Sequence, residues 1–433
     1  MDTLVRVHGG RLIDPGTGTD SVTDLWIRGE NISPPPQDPQ NAKTETIDAH
    51  GCWVIPGLVD MHVHLREPGK EDAETIESGI SSAFAGGVTT MACMPNTTPA
   101  LDNPGIIEWV IQRAKDAGFH DLHPIGTVSV GRQGESIVDI EQMVHSGARA
   151  FSDDGSVVRT SRLLRDALQT CAPHHVPIID HCEDMSLSRG GVIREGPTAM
   201  RLGVGGIPSY AEDVMVARDI VLSKQTGAHL HLAHLSTSGS ISLLRDARSQ
   251  DIPVTGEVTP HHIALTTDKI TSDDGNMKMN PPLGTEGDQQ AIIEGLKDGT
   301  ISVIASDHAP HTTESKSAGL KTAPFGVVGL ETMLPVVITY LVRTGDLDPM
   351  RAVSLLTVNP ADILGIDRPS LAPGNRANVV IVDPDSSFIV DPEQFHSKSR
   401  NSCFTGMRLF GRIQRTFYRG KTVFSYQNSK NSN

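Results

Sequence analysis

From Cys52 onward the chain repeats one rhythm: an apolar run of strand length, a polar loop, then a stretch of helical period. No other feature constrains the fold as much. Parallel neighbours need a crossover long enough to hold a helix, so strands alternating with helices build a parallel sheet covered by helices. The expected strands are Val54–Val59, Val88–Cys93, Leu122–Val128, Ala148–Phe151, Val176–Ile179, His229–Ala233, Ile252–Glu257 and Ile301–Ala305. Helices are expected over Ala73–Ala85, Pro104–Ala117, Arg162–Cys171, Ala211–Thr226, Ile241–Ser249 and Asp288–Lys297. Eight such strands over about 300 residues predict a closed (β/α)8 TIM-like barrel.

The two ends of the chain read differently. Leu4–Val7, Gly10–Ile13, Asp24–Ile27 and Glu45–Ile47 are short β-like pieces broken by Gly, Pro and Asn, and the same style returns after Ile366 in Asn378–Val382, Leu409–Phe417 and Lys421–Phe424. A small β-sandwich domain formed by both ends, residues 1–52 and 366–433, is therefore expected beside a catalytic barrel of residues 53–365. The segment Ser33–Pro39, with three consecutive prolines, reads as an exposed loop, and Gln427–Asn433 as a disordered tail.

Composition narrows the partners. A formal net charge of −15 without any Lys/Arg cluster argues against nucleic acid and against an anionic membrane. Aromatic content of 4% disfavours a base-stacking surface. No leader pattern opens the chain, and apolar runs such as Met333–Val342, which holds Pro335 and Thr339, fall short of the roughly 18 residues of a membrane span. Five scattered cysteines without a C-x-x-C pair read as reduced thiols, so a cytoplasmic protein is expected.

Barrels of this kind work at the C-terminal ends of their strands. The first strand runs into DMHVHLREPG (Asp60–Gly69), where His62 and His64, two apart in extended chain, face the same side. A single His-x-His is more often an ordinary polar pair, and Asp-Asp-Gly is usually a turn. Here the other strand ends add Ser152-Asp153-Asp154-Gly155, Asp180-His181-Cys182-Glu183, His231-Leu232-Ala233-His234 and Ser306-Asp307-His308-Ala309-Pro310-His311. Four histidines and two aspartates exceed what one tetrahedral ion needs, so two divalent ions, about 3.5–4 Å apart and bridged by a carboxylate, are expected. Imidazole with carboxylate favours zinc and leaves manganese or cobalt open. Either Asp153 or Asp154 is of the right type to bridge. Arg66 can take a carboxylate in bidentate fashion, and Asn96 and Asn280 can donate amide hydrogens, although both asparagines lie beside prolines and could equally be turn residues.

Taken with MPNTTP (Met94–Pro99), FSDDG, HCED, HLAHLST (His231–Thr237), GEVTPHH, KMNPPL (Lys278–Leu283), SDHAPH, APFGVVGLET (Ala323–Thr332) and LTVNPADILG, these motifs span nearly the whole chain. The sequence resembles the class I bacterial dihydroorotases of the amidohydrolase superfamily. That resemblance implies reversible cyclisation of N-carbamoyl-L-aspartate to (S)-dihydroorotate and water in pyrimidine (UMP) biosynthesis, by a hydroxide shared between two Zn2+ ions. By the same resemblance His62 and His64 hold the first metal, Asp154 bridges with Asp153 as its neighbour, and His181 and His234 hold the second. Asp307 ligates the first metal and serves as catalytic base and acid. Arg66, Asn96, Asn280 and His311 would bind the substrate's carboxylate and ring amide, the backbone of Phe325 and Gly326 would complete the ring contact, and His64, Leu65 and Arg66 would line the substrate site. The family also brings a homodimer and a complex with aspartate carbamoyltransferase into consideration.

Two rivals are weighed against this. Hydantoinases, allantoinases and animal-type dihydroorotase domains resemble the same superfamily but bridge with a carboxylated lysine, and residues 147–159 contain no lysine. A non-catalytic subunit supporting aspartate carbamoyltransferase would lose metal ligands, whereas all six are present. The text departs from the family at Gly284, where arginine is frequent, at Ser402-Cys403, where Thr-Pro is usual, and in Asn31–Pro36, which lacks an isoleucine-rich strand.

Overall fold

A computed structural model describes residues 4–37 and 44–427. Residues 38 and 39 of the proline-rich loop and residues 428–433 of the expected tail lie outside the described residues. Eight parallel strands follow one another in chain order: Leu58–Val63, Val88–Cys93, Leu122–Gly126, Ala150–Phe151, Ile178–Asp180, Leu230–Leu232, Val254–Val258 and Val303–Ile304. The sheet closes on itself through one parallel bridge between Val63 and His308, with the His64 N–H donating to the His308 carbonyl at 2.8 Å. Side chains inside the ring, including Val59, Met61, Ala92, Ile125, Ala150, Ile179, Val303 and Ala305, fill it as a core. A second apolar layer packs the outer strand faces against the helices.

The helices begin where their first N–H groups find a partner. Thr75 and Thr285 form capping boxes ahead of Ile76–Ala85 and Glu286–Asp298, and Asn103, Thr160 and Thr237 cap Pro104–Asp116, Ser161–Cys171 and Ser238–Ser249. Gly227 and Gly299 end Tyr210–Thr226 and Glu286–Asp298 in the left-handed conformation that glycine adopts without strain.

The first expected strand is split in the structure. Trp53–Pro56 belongs to a six-stranded sheet, pairing with Arg11–Asp14 and Val379–Ile389, and the barrel strand starts only at Leu58. Gly57 is the joint: a Cβ there would fall 2.1 Å from the Thr89 hydroxyl. One continuous apolar run hides this break, because both strands are buried on both faces. The six-stranded sheet also holds Thr19–Val22, Arg408–Tyr418 and Lys421–Ser425, so both chain ends build it. It faces a four-stranded sheet of Leu4–His8, Leu25–Arg28, Asn31–Ser33 and Thr44–Asp48 across Val7, Leu12, Ile27, Ile32, Val54, Val379 and Ile381. The fold is thus a (β/α)8 barrel with a β-sandwich. The segment Asn31–Ser33, atypical in sequence, still forms a strand because Ile32 is buried in that core.

Candidate active site

His62, His64, Asp154, His181, His234 and Asp307 converge on one face of the barrel. His62 is fully buried, and its Nδ1 lies 2.6 Å from Glu257 Oε1. A carboxylate can only accept, so Nδ1 donates to Glu257, and Nε2 faces Asp154 and Asp307, each 3.6 Å away. That Nε2, like His234 Nδ1, is buried without a hydrogen-bond partner. His64 donates from Nδ1 to Asn96 Oδ1 at 2.8 Å and turns Nε2 toward Asp307 (3.1 Å) and Asp154 (3.5 Å). His181 donates from Nε2 to Glu183 at 3.0 Å, leaving Nδ1 3.5 Å from Asp154 and 2.9 Å from His234 Nε2. His234 Nε2 is itself 3.5 Å from Asp154.

These separations bear on metal binding. Ligand atoms on a tetrahedral zinc with bonds of 2.0–2.1 Å sit about 3.3 Å apart. The spacings of 3.1–3.6 Å around Asp154 and Asp307, together with the orphaned Nε2 of His62, fit a metal. Two buried ligand sets come together here, His62–His64–Asp307 and His62–Asp154–His234. A third buried set, Asp180–Cys182–Asp219, already holds its cation: Arg218 donates to Asp180 at 2.9 Å and to Asp219 at 2.6 Å. Asp153 stands apart from the ligand cluster, accepting from Val128 N, Ser129 N and Ser129 Oγ and so tying down the loop after the third strand.

Burial raises carboxyl pKa values, but the surrounding imidazoles outweigh it, holding Asp154 well below the ordinary carboxylate range and Asp307 down at about 2. Burial disfavours the His62 imidazolium, yet Glu257 and Asp154 reverse the sign and push its pKa well above the ordinary value. Arg66 is 7% exposed; burial lowers its guanidinium to about 10, so it remains cationic at neutral pH. His311 is pushed down to about 3 by burial and is neutral. Three of the non-glycine residues in left-handed conformation border the site: Arg66 (φ 62°), His234 (φ 32°) and Asp307 (φ 45°). Strain at three functional strand ends is the pattern of a backbone bent to aim side chains.

The second group of residues lies around the same cavity, of about 180 Å³, which is lined by His64, Arg66, Asn96, Asp154, His181, His234, Asn280, Asp307, His311, Phe325 and Gly326. Arg66 Nε donates to the Pro310 carbonyl at 3.0 Å. His311 donates from Nε2 to the Phe325 carbonyl at 2.7 Å, so Arg66 Nη2, 3.4 Å from that nitrogen, is a contact between two donors. Asn280 differs from expectation in its free end: its amide nitrogen is taken by Glu183 at 2.7 Å, which leaves its carbonyl oxygen to accept. Leu65 does not turn its side chain toward this cavity. Its side chain is buried in the outer core, where its Cδ2 occupies the space a Cβ on Gly79 would need, because the residue between His64 and Arg66 faces away from the cavity.

Sequence reading gave no role to several residues that hold this site. Glu257 bridges His62 Nδ1, His231 Nε2 (3.2 Å) and the His234 N–H (3.3 Å). Glu257 is fully buried, and a buried charge needs partners of this kind, which no local pattern in the sequence announces. Glu183 anchors His181 and Asn280, and Glu74 accepts from His308 Nε2 at 3.3 Å and from the Ser397 hydroxyl. At Gly284 a Cβ would lie 2.7 Å from Asp288 Cβ and 3.0 Å from the Ser236 carbonyl, so a side chain there requires these neighbours to shift.

Known proteins resemble this chain closely. Residues 51–240 match a family model described as Dihydro-orotase-like. A dihydroorotase of Pelotomaculum thermopropionicum is 46% identical over 96% of this chain and 97% of its own. One from Acetivibrio thermocellus is 43% identical over 96% and 98%. Among solved structures, L-hydantoinase (dihydropyrimidinase) from Arthrobacter aurescens superposes with a TM-score of 0.86 at 27% identity, covering 98% of this chain and 96% of that one. D-hydantoinase from a Thermus species shares the fold, with a TM-score of 0.79 at 23% identity over 98% and 97%.

Proposed function

The chain belongs to the dihydroorotase family, and on that premise we propose that it opens and closes the dihydroorotate ring, interconverting it with N-carbamoyl-L-aspartate, with two zinc ions in the barrel mouth. The observation that carries this reading is the single cavity shared by the metal-type ligands and the groups suited to a small cyclic carboxylate. Its volume, about 180 Å³, lies below the roughly 300–1,000 Å³ of drug-sized pockets and suits one six-membered ring.

His62, His64 and Asp307 would hold one ion, His181 and His234 the other, and Asp154 would lie between. Such ions, when bound, supply Lewis acidity that brings the pKa of water to near 7. The remaining steps fall to the protein. Arg66, cationic and hydrogen-bonded to no carboxylate among the described residues, takes the substrate carboxylate. Asn96, whose Oδ1 accepts from His64, has its amide hydrogens left for the same group, and Asn280 offers its carbonyl oxygen to a ring N–H. Phe325 and Gly326 present backbone along the ring's edge. Asp307, ionised at neutral pH, takes the proton of the attacking water and hands it to the departing ring nitrogen. In ring closure it works in reverse.

The test is a substrate panel. Zinc-loaded protein is followed for ring opening of dihydroorotate, hydantoin and allantoin, with and without aspartate carbamoyltransferase. Turnover of dihydroorotate over both others is expected; hydantoin opened and dihydroorotate untouched would overturn the reading.

A further inference from the structure

Lys316, at the end of the short helix Thr313–Lys316, has no part in the reaction as described, yet it is 3% exposed. Its ammonium donates to three main-chain carbonyls: Lys278 at 3.0 Å, Pro324 at 3.0 Å and Gly326 at 2.7 Å. All three of its donors are thus used on backbone, none on a carboxylate. Burying an ammonium with no carboxylate hydrogen-bonded to it is unfavourable, and burial lowers this one to about 7 even with Asp274 nearby. Packing alone would be served as well by methionine, so the charge has another use.

What the carbonyls belong to is informative. Lys278 lies two residues before Asn280, and its carbonyl also accepts from Gly326 N at 3.0 Å. Pro324 and Gly326 flank Phe325, whose own carbonyl receives His311 Nε2. Asn401 closes the far side, donating to the Ala309 and Gly326 carbonyls at 3.1 Å each and accepting from His311 N. Gly326 sits at φ +125°, where a Cβ would fall 2.6 Å from that of Ala309. We propose that Lys316 is a positioning residue for substrate: it clasps the segment leading to Asn280 to the Pro324–Gly326 loop, and thereby fixes the two backbone edges between which the ring binds.

The substrate's identity in this inference rests on the proposed function, so the test reads the clasp in two ways. Lys316→Met removes all three donors and Lys316→Gln keeps two. With dihydroorotate, Lys316→Met should raise KM by about tenfold or more while kcat stays within about threefold, with Lys316→Gln between it and wild type. Bound zinc should be unchanged in both. Amide exchange across residues 323–328 should quicken in Lys316→Met, without change in peptides carrying His62, His64 or His234. An unaltered KM, or a loss confined to kcat, would overturn the proposal. If Lys316→Met does not fold, Lys316→Gln carries the same comparison. If wild type does not open dihydroorotate, the proposed function fails, and amide exchange decides the clasp by itself: unchanged protection at 323–328 refutes it.

Discussion

Replacing Arg66 by methionine should weaken substrate binding and stabilise the fold at the same time. Burial lowers the Arg66 pKa from 12.5 to about 10, which corresponds to about 3 kcal/mol against the cation in the folded protein. Methionine keeps most of the length and none of the charge. Against that gain stands the bond to the Pro310 carbonyl, a charge-assisted contact contributing about 1.5–3 kcal/mol. The net change is a stabilisation of about 1 kcal/mol, or roughly 1–2 °C in thermal midpoint for a chain of this size. Substrate tells the opposite story. A guanidinium as buried as this one gripping a carboxylate is worth about 3 kcal/mol, so KM for dihydroorotate should rise on the order of 100-fold. Steady-state kinetics and a thermal scan at matched zinc content check both halves. An unchanged KM would refute the carboxylate assignment, and a fall of several degrees in midpoint would refute the argument that the buried cation is unfavourable in the fold.

Other outcomes follow from the same geometry. Asp307→Asn should abolish turnover while far-ultraviolet circular dichroism stays native, since the amide preserves shape but cannot take a proton; near-normal rates would remove Asp307 as the base. Glu257→Leu should weaken zinc binding by about 10–100-fold in a chelator competition, because His62 loses the acceptor that sets its tautomer. His123 and His229 are each pushed down to about 4 by burial. Between the ordinary value of 6.5 and about 4 the unfolded chain binds protons that the folded chain refuses, so stability is full above pH 6.5 and is lost as pH falls toward 4. A thermal midpoint that stays flat across that window would contradict this, and His123→Gln should shallow the slope.

The parts of this protein legible in sequence were those set by local periodicity. Alternation in DMHVHLREPG put His62 and His64 on one face, and the helical period placed helices where Ile76–Ala85 and Glu286–Asp298 are found. What stayed hidden depended on contacts between distant positions. Glu257 acts on His62 across 195 residues, and Lys316 acts on a carbonyl 38 residues away, so neither has a local pattern. The break at Gly57 was invisible because strands buried on both faces carry no alternation to lose. Leu65 was expected at the site through the family resemblance, and the period of two turns its side chain to the opposite face from His64 and Arg66.

Metal and substrate meeting in one cavity is the core of the account, and stepwise reconstitution tests it most directly. Protein stripped by a chelator is given zinc in increments while dihydroorotate ring opening is followed. Activity should be absent without metal and rise to a plateau at about two ions per chain. Full turnover by the metal-free protein, or none by the fully loaded one while hydantoin is opened, would contradict it.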